Sequence, residues 1–432
     1  MSEETIVAPP RPGLFAALCI RDFALLWSGQ SVSNLGDGIF TVALAIETLR
    51  VGHSGSSLGL VLAARAIPSL AFVLIGGAIV DRIPRRFAML SSDLVRGCLV
   101  GTIALLAGSG ALRIWMLITI SLAFGCADAL FSPASASIVP ELLPEELLVQ
   151  GNSLGFASGQ LAQALAGPAL GGVIVALAGT AWAFGVDAAS FCVSVVCLLA
   201  IRTTTKAAAS GKSILSDIGA GIHFILERRW LLLNLVAGGL ANLFGLAPIL
   251  VLVPLLVRVV LHGSSSDLGL VLGAGGAGGL VASLLLSKLK PPRRKVLTMW
   301  IAYGGSLVPL LVMIFSPYVW LVGLGNAAVF GLFAYGDIIY ISMMQASIPA
   351  EMRGRTFAVL QLLAFGLTPI GTAASGYLAQ VFGIRRVFLI TTLIACATFF
   401  VIFIPGARDP DKMTATELAG ADQRPNASPG GA

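Results

Sequence analysis

Charge is scarce in this sequence. Only 11% of its 432 residues are Asp, Glu, Lys or Arg, where a water-soluble domain carries about 25%. With 57% apolar side chains and a mean hydropathy of +0.93, an ordinary soluble fold is excluded. Histidine is scarcer still: His53, His223 and His262 fall in loops or the middle linker, which leaves no histidine proton relay. Cys19, Cys98, Cys126, Cys192, Cys197 and Cys396 stand singly without C-x-x-C spacing, so neither a zinc site nor a disulfide framework is indicated. The sequence also lacks a nucleophile–base pair, a phosphate loop and a metal cluster. The glycine-rich Gly273 to Gly279 lies inside an apolar run rather than after a strand, so it is no nucleotide cradle. No enzyme, cofactor or ATP dependence is expected. The formal charge of +6 comes from short basic clusters without aromatic interleaving, which reads as orientation charge and not as a nucleic-acid surface.

Apolar runs and glycine are abundant instead. A membrane-spanning helix takes about 20 apolar residues, and runs of that kind cover 23–49, 57–80, 88–107, 114–138, 147–178 and 181–201, then 230–257, 267–287, 297–316, 318–345, 354–380 and 386–404. Residues 1–22 lack a cleavable signal pattern and read as a cytoplasmic segment. Residues 202–229 form a linker in which Asp217 to Arg229 predicts an amphipathic helix with Ile218, Ile222, Phe224 and Ile225 on its apolar side. Residues 405–432 read as a disordered tail. The fifty glycines suit helices that approach closely in lipid.

The two sets of six runs repeat each other. Ala136-Ser137-Ile138-Val139-Pro140-Glu141 matches Ala346-Ser347-Ile348-Pro349-Ala350-Glu351, and Gly172, Gly179 and Phe184 correspond at one offset to Gly376, Gly383 and Phe388. The fold class expected is an all-α polytopic membrane protein, with twelve transmembrane helices in two pseudo-symmetric halves, 23–201 and 230–404. Any substrate site should lie near mid-membrane between them. Alternating the spans from a cytoplasmic amino terminus puts most basic residues, including Arg82, Arg85, Arg86, Arg293, Arg294, Arg353 and Arg355, on the inside. Only Arg50, Arg113, Arg258, Arg385 and Arg386 fall outside. That bias predicts both termini in the cytoplasm of a cell membrane. A monomer in the bilayer is expected.

After the second run, Gly76-Gly77-Ala78-Ile79-Val80-Asp81-Arg82-Ile83-Pro84-Arg85-Arg86 ends an apolar stretch in one acid and three arginines. From Gly77 it fits G-x-x-x-D-R-x-x-R-R. This resembles the signature loop of the major facilitator superfamily of secondary transporters. The resemblance implies a gate, with Asp81 docking on the amino end of the eleventh helix, where the helix dipole favours an anion. Asp128 would lie near the loop arginines Arg82, Arg85 and Arg86, with Arg353 or Arg355 nearby. The second half has a worn counterpart, Lys288-Leu289-Lys290-Pro291-Pro292-Arg293-Arg294, which keeps the charge and loses the acid. Glycine also recurs every four residues at Gly151, Gly155, Gly159, Gly167 and Gly171, broken by Gln163. On that face Gly167, Pro168, Gly171 and Gly172 resemble the G-P-x-x-G-G motif of facilitator antiporters, which implies export coupled to inward ion movement.

Ionisable residues inside spans are costly and are functional candidates by default. Asp37, mid-span in Leu35-Gly36-Asp37-Gly38, is the leading candidate for a proton-binding or cation-sensing carboxylate facing the cavity. Asp128 and Asp337 sit at matching places in the fourth and tenth runs, each at one spacing before Pro140 and Pro349. They complete the set of proton-coupling candidates, with Asp128 favoured as a gate residue. Asp93 and Arg96, three apart, are predicted to pair. Arg65 is predicted to answer Glu47 or an anionic substrate group, and Asp187 to be solvated near the outer end of the sixth helix. Asn34, Arg65, Gln160, Gln163, Asn242, Tyr335 and Gln361 are candidates for lining a substrate cavity.

The wider sequence, from Leu26-Trp27-Ser28-Gly29-Gln30 through Leu58-Gly59-Leu60 to Arg353-Gly354-Arg355, resembles the subfamily of enterobactin exporters and macrolide-efflux proteins. It implies a proton-driven exporter of amphipathic small molecules such as antibiotics, other drugs or siderophores. One departure is that drug:proton exporters often carry an arginine inside the fourth helix. Here only Arg113 stands at its outer start, which sets the usual proton-relay assignment in question. The alternatives are a facilitator or a lipid or solute transporter not driven by protons, or a receptor or scaffold that does not transport.

Overall fold

In hydrocarbon a helix satisfies every backbone N–H and C=O within one segment, and the apolar runs become helices. The structure, a computed structural model, describes residues 13–80, 83–202, 214–286, 292–348 and 353–408. The first half comprises α1 Arg21–Gly52, α2 Gly55–Val80, α3 Arg85–Gly108 and α4 Ile114–Leu142. Its fifth span is α5 Leu148–Gly159, a π-helical turn Gln160–Ala166 and α6 Gly167–Ala178; α7 Thr180–Ala200 closes the half. A linker helix, α8 Ile214–Glu227, leads to the seventh span, α9 Arg229–Ala241, a π turn Asn242–Leu246 and α10 Ala247–Leu255. Then come α11 Ser265–Leu286, α12 Lys295–Gly305 with α13 Leu307–Phe315, α14 Val319–Ser347, α15 Arg353–Phe365 with α16 Thr368–Phe382, and α17 Ile384–Ala397.

Eleven helical stretches among the described residues are long and apolar enough to cross a membrane; the described apolar part of α2 is Gly55–Pro68. With α2 they make the twelve spans of an all-helical membrane protein. At the bundle end opposite Arg85, Trp115, Trp182 and Trp320 stand near the starts of α4, α7 and α14, each more than half exposed. That is where amphipathic rings settle at a lipid–water boundary.

The linker helix differs from the expectation. It starts at Ile214 and ends at Glu227, because Arg229 already begins α9. Phe224 and Ile225 are buried, whereas Ile222 is exposed. Among the described residues its polar side carries a His223–Glu227 pair at 2.9 Å.

Proline shapes the spans that move the backbone closest to a neighbour. Lacking an N–H, it cannot bond the preceding turn. Pro168, Pro248 and Pro369 each sit in the first turn of a fresh helical segment, α6, α10 and α16. The π turns before α6 and α10 absorb the break.

The halves meet, at the Gly179 end, through two contacts related by the internal repeat. A β-carbon on Gly59 of α2 would lie 2.4 Å from the Thr372 carbonyl oxygen of α16, and one on Gly269 of α11 2.4 Å from the Pro168 carbonyl oxygen of α6. Gly376 lies as close to the Gly55 carbonyl, 2.3 Å, and Gly172 to that of Ser265, 2.7 Å. Only glycine permits backbones at this separation. The repeat thus reaches beyond the Gly172–Gly376 correspondence: Leu58-Gly59-Leu60-Val61-Leu62 matches Leu268-Gly269-Leu270-Val271-Leu272. His53 and His262, in the loops before them, share a left-handed backbone, φ 51° and 53°.

Candidate functional site

The first half contains a set of buried charges threaded through a cluster of rings. Asp37 lies midway along α1 and is 7% exposed. Its glycine neighbours let two helices close over it. Gly36 packs on Asp187 and Ser190 of α7, and Gly38 on the π turn and α6 at Gln163 and Gly167. From α2, Arg65 brings Nη2 to 3.8 Å from Asp37 Oδ1. The Arg65 guanidinium lies 4.5 Å from the Phe124 ring centre and 5.2 Å from that of Phe40, a contact that favours a desolvated cation. Phe40 and Phe124 stack, and Phe184 and Phe191 meet them edge-on.

The neighbouring cation is more fully committed. Arg96 of α3 pairs with Asp93, three residues before it, as the spacing predicts, and reaches Asp128 of α4 at 3.3 Å. Its guanidinium also lies 4.1 Å from the Phe131 ring and 4.9 Å from that of Phe191. The Ser194 hydroxyl donates to Asp93 Oδ2 at 2.6 Å. Asp93 is therefore sealed with each oxygen bonded, while the Asp128 side chain keeps 40% of its surface exposed.

Three expectations are corrected here. Arg65 faces Asp37 and not Glu47, because Glu47 is engaged at the far end of α1, accepting from Arg50 at 2.6 Å and from the Thr180 hydroxyl at 2.6 Å. Asp128 meets Arg96 rather than the loop's Arg85 or Arg86. These two anchor helix ends instead: Arg85 pairs with Glu141, and Arg86 donates to the carbonyls of Leu198 and Leu199 at 2.6 and 2.7 Å. Asp187 is not solvated. It is 0% exposed, accepts from Ser190 and turns its other oxygen to a place with no hydrogen-bond partner among the described residues. The signal was available, since Asp187, Ser190 and Ser194 recur on one helical face.

The remaining candidates are more dispersed. Asp81 and Arg82 lie outside the described residues, as do the side chains of Arg353 and Arg355; Gly77 belongs to α2, and Arg353 begins α15. Gly167, Pro168, Gly171 and Gly172 are buried in α6 between α1 and α11. Gln160 and Gln163 occupy the π turn, Gln163 exposed, and Asn34 faces α5 at Gly159. Asn242 ties its π turn to the Ala364 carbonyl at 3.0 Å. Tyr335 is half-buried and Gln361 exposed. In the second half Asp337 accepts from the Tyr303 hydroxyl at 2.7 Å, a partner not anticipated from sequence. Among the described residues no group of three or more His, Cys, Asp and Glu side chains is placed to hold a metal ion.

Comparison with known proteins adds independent findings. The family model described as transmembrane secretion effector matches residues 13–422. The multidrug efflux pump Tap of Mycolicibacterium fortuitum is 30% identical over 414 residues, covering 90% of this chain and 96% of that protein. The enterobactin exporter EntS of Citrobacter koseri is 27% identical over 348 residues, covering 77% and 79%. Two solved structures share the fold. The nucleoside transporter NupG has a TM-score of 0.69 at 12% identity, over 89% of this chain and 99% of that one. A bacterial homologue of the iron transporter ferroportin, in an inward-facing state, has a TM-score of 0.64 at 17% identity, over 88% and 98%.

Proposed function

The chain belongs to the major facilitator superfamily, in its transmembrane secretion effector family, and we propose that it exports an amphipathic small molecule in exchange for protons by alternating access. The family and the relatives are membrane transporters rather than enzymes. The direction and the substrate class, an antibiotic, other drug or siderophore, rest on similarity to an efflux pump and a siderophore exporter. The observation that carries proton coupling is Asp37, sealed at mid-span beside Arg65. A carboxylate costs too much there to serve packing alone, and a neighbouring cation that moves between states changes its hold on a proton.

The closed glycine contacts at the Gly179 end support one state of the alternating cycle, in which the halves are shut on that side. We assign that side to the exterior, with the termini and the Arg85 end in the cytoplasm, from the bias of basic residues. Asp81, Arg82, Arg353 and Arg355 would form the opposing gate, and Asn34, Gln160, Gln163, Asn242, Tyr335 and Gln361 would line the path. The protein works as a monomer in this reading.

Uptake by everted membrane vesicles tests it, with a panel of hydrophobic antibiotics, dyes and a catecholate siderophore. Uptake should vanish when the proton gradient is collapsed and should be absent with Asp37→Asn in a protein still present in the membrane. Uptake that persists without the gradient would refute proton coupling.

A further inference from the structure

Within the charge set, the cations do not balance the sealed acids. Asp37, Asp93 and Asp187 are all buried, and Arg65 and Arg96 are the guanidiniums that act on Asp37 and Asp187. Asp128 keeps much of its surface exposed, so water can carry its charge. Three sealed carboxylates against two guanidiniums leave one negative charge in excess, and an uncompensated charge in a low-dielectric interior is expelled or neutralised.

Bonding indicates where the excess lies. Asp93 is satisfied by Arg96 and Ser194. Asp37 Oδ1 and Asp187 Oδ2, by contrast, are buried with no hydrogen-bond partner among the described residues. The two residues come from α1 and α7 and lie at one level of the bundle. Asp187 Oδ1 occupies the space beside Gly36, the residue before Asp37, 2.4 Å from where a β-carbon would stand. The charged groups facing the pair are Arg65 of α2, Asp93 and Arg96 of α3, and Asp128 of α4. The π turn and α6 present only Gln160 and Gln163 and apolar or glycine residues, and Ser265, Ser266 and Gly269, which α11 sets against Gly172, are uncharged.

We propose that Asp37 and Asp187 form a single proton-binding site holding one exchangeable proton between them, with Arg65 neutralising the other carboxylate. This deepens the proton-coupled reading and rests on it for its role in transport, though not for its detection. The proton enters from water onto a carboxylate oxygen and leaves to water, and no other bond is made or broken. The pair adds a second carboxylate to the Asp37–Arg65 contact, so that a proton can be held there while Arg65 stays in place.

Infrared difference spectroscopy of the purified protein between acid and alkaline buffer tests this without any substrate. The carbonyl stretch of a protonated carboxyl, shifted by deuterium oxide, should be present in the parent protein. Both Asp37→Asn and Asp187→Asn should abolish it, since either leaves one acid matched by Arg65. Arg65→Gln should instead double it, which guards against reading loss of structure as loss of the site. A band that survives in either aspartate variant would overturn the shared site, as would one that disappears on adding sodium at fixed pH, which would mark the ligand as a metal cation. If the band behaves as expected while vesicle uptake ignores the gradient, the shared site stands and the transport reading fails.

Discussion

Gly172→Ala is the sharpest test of how the halves move. A β-carbon there would lie 2.7 Å from the Ser265 carbonyl oxygen, 2.9 Å from the Gly269 α-carbon and 3.1 Å from that of Ser266. All three are backbone atoms, so no side chain can rotate away. Carbon–carbon contact is comfortable at about 3.5–4.0 Å, so α6 and α11 must part by roughly 0.6 Å or more. Overpacking of that kind costs about 1–3 kcal/mol. If the contact exists in one transport state only, the whole cost falls on that state, and the population should shift about 5–150-fold toward the state open at this end. Distances between spin labels on the exposed Leu177 and Leu270, measured by pulsed electron resonance with the native cysteines replaced, should lengthen. Gly376→Ala should act the same way through the related contact, with Gly55. Gly155→Ala, with open space around it, should change nothing. A distance distribution for Gly172→Ala equal to that of Gly155→Ala would refute the reasoning.

Arg96→Gln would leave the sealed Asp93 with Ser194 alone; removing one partner of a buried pair costs about 3–5 kcal/mol, so the thermal midpoint in detergent should drop sharply, and an unchanged midpoint would deny the pair a structural role. Trp300→Phe removes the indole donor to Asn234 Oδ1, 2.6 Å in length, and should lower the same midpoint by the equivalent of about 1–3 kcal/mol. An impermeant maleimide on intact cells should label Arg113→Cys and reach Arg293→Cys only after lysis; the reverse would invert the proposed orientation. Asp337→Asn should leave the gradient dependence of uptake in place, because the proposed proton site lies in the first half and Asp337 accepts only from Tyr303 among the described residues; loss of that dependence would move proton coupling into the second half.

The spans were legible because an apolar run of sufficient length has one stable outcome in lipid. The Asp93–Arg96 pair was legible because it is set by spacing on one helix. Contacts between helices were not. Asp187 was read from its depth in its own span, but its burial is decided by Gly36, a missing side chain on another helix. The sequence leaves Arg65 to Glu47 or to an anionic substrate group, since Arg65 and Glu47 are charged residues of adjacent spans. The rotation of α1 decides otherwise, placing Glu47 against Thr180 and Arg50. The family pattern draws Asp128 to the loop arginines, and Arg96, ten residues beyond Arg86 on the same helix α3, takes it. The end of the linker helix was misplaced for a simpler reason: α9 begins at Arg229 with no apolar break to announce it.

The internal repeat is obeyed by the backbone and broken by the charges. Gly59 with Thr372 and Gly269 with Pro168 make the same contact twice, as two halves that rock about one axis require. The contact between α3 and α4, by contrast, carries Arg96 and Asp128, while the one between α12 and α14 carries Tyr303 and Asp337. One side is ionic and ringed by phenylalanine. The other is a neutral donor on one acid. A motion shared equally by both halves can therefore be driven by an ion taken up in only one of them, provided the helices that bear the charges also bear the glycine contacts. They do so in part: α2 holds Arg65 as well as Gly55 and Gly59, and α1, which holds Asp37, packs at Gly38 directly on α6 at Gly167, five residues from Gly172. A change of charge at Asp37 has only that one turn and a half of helix to cross before it reaches the seam between the halves.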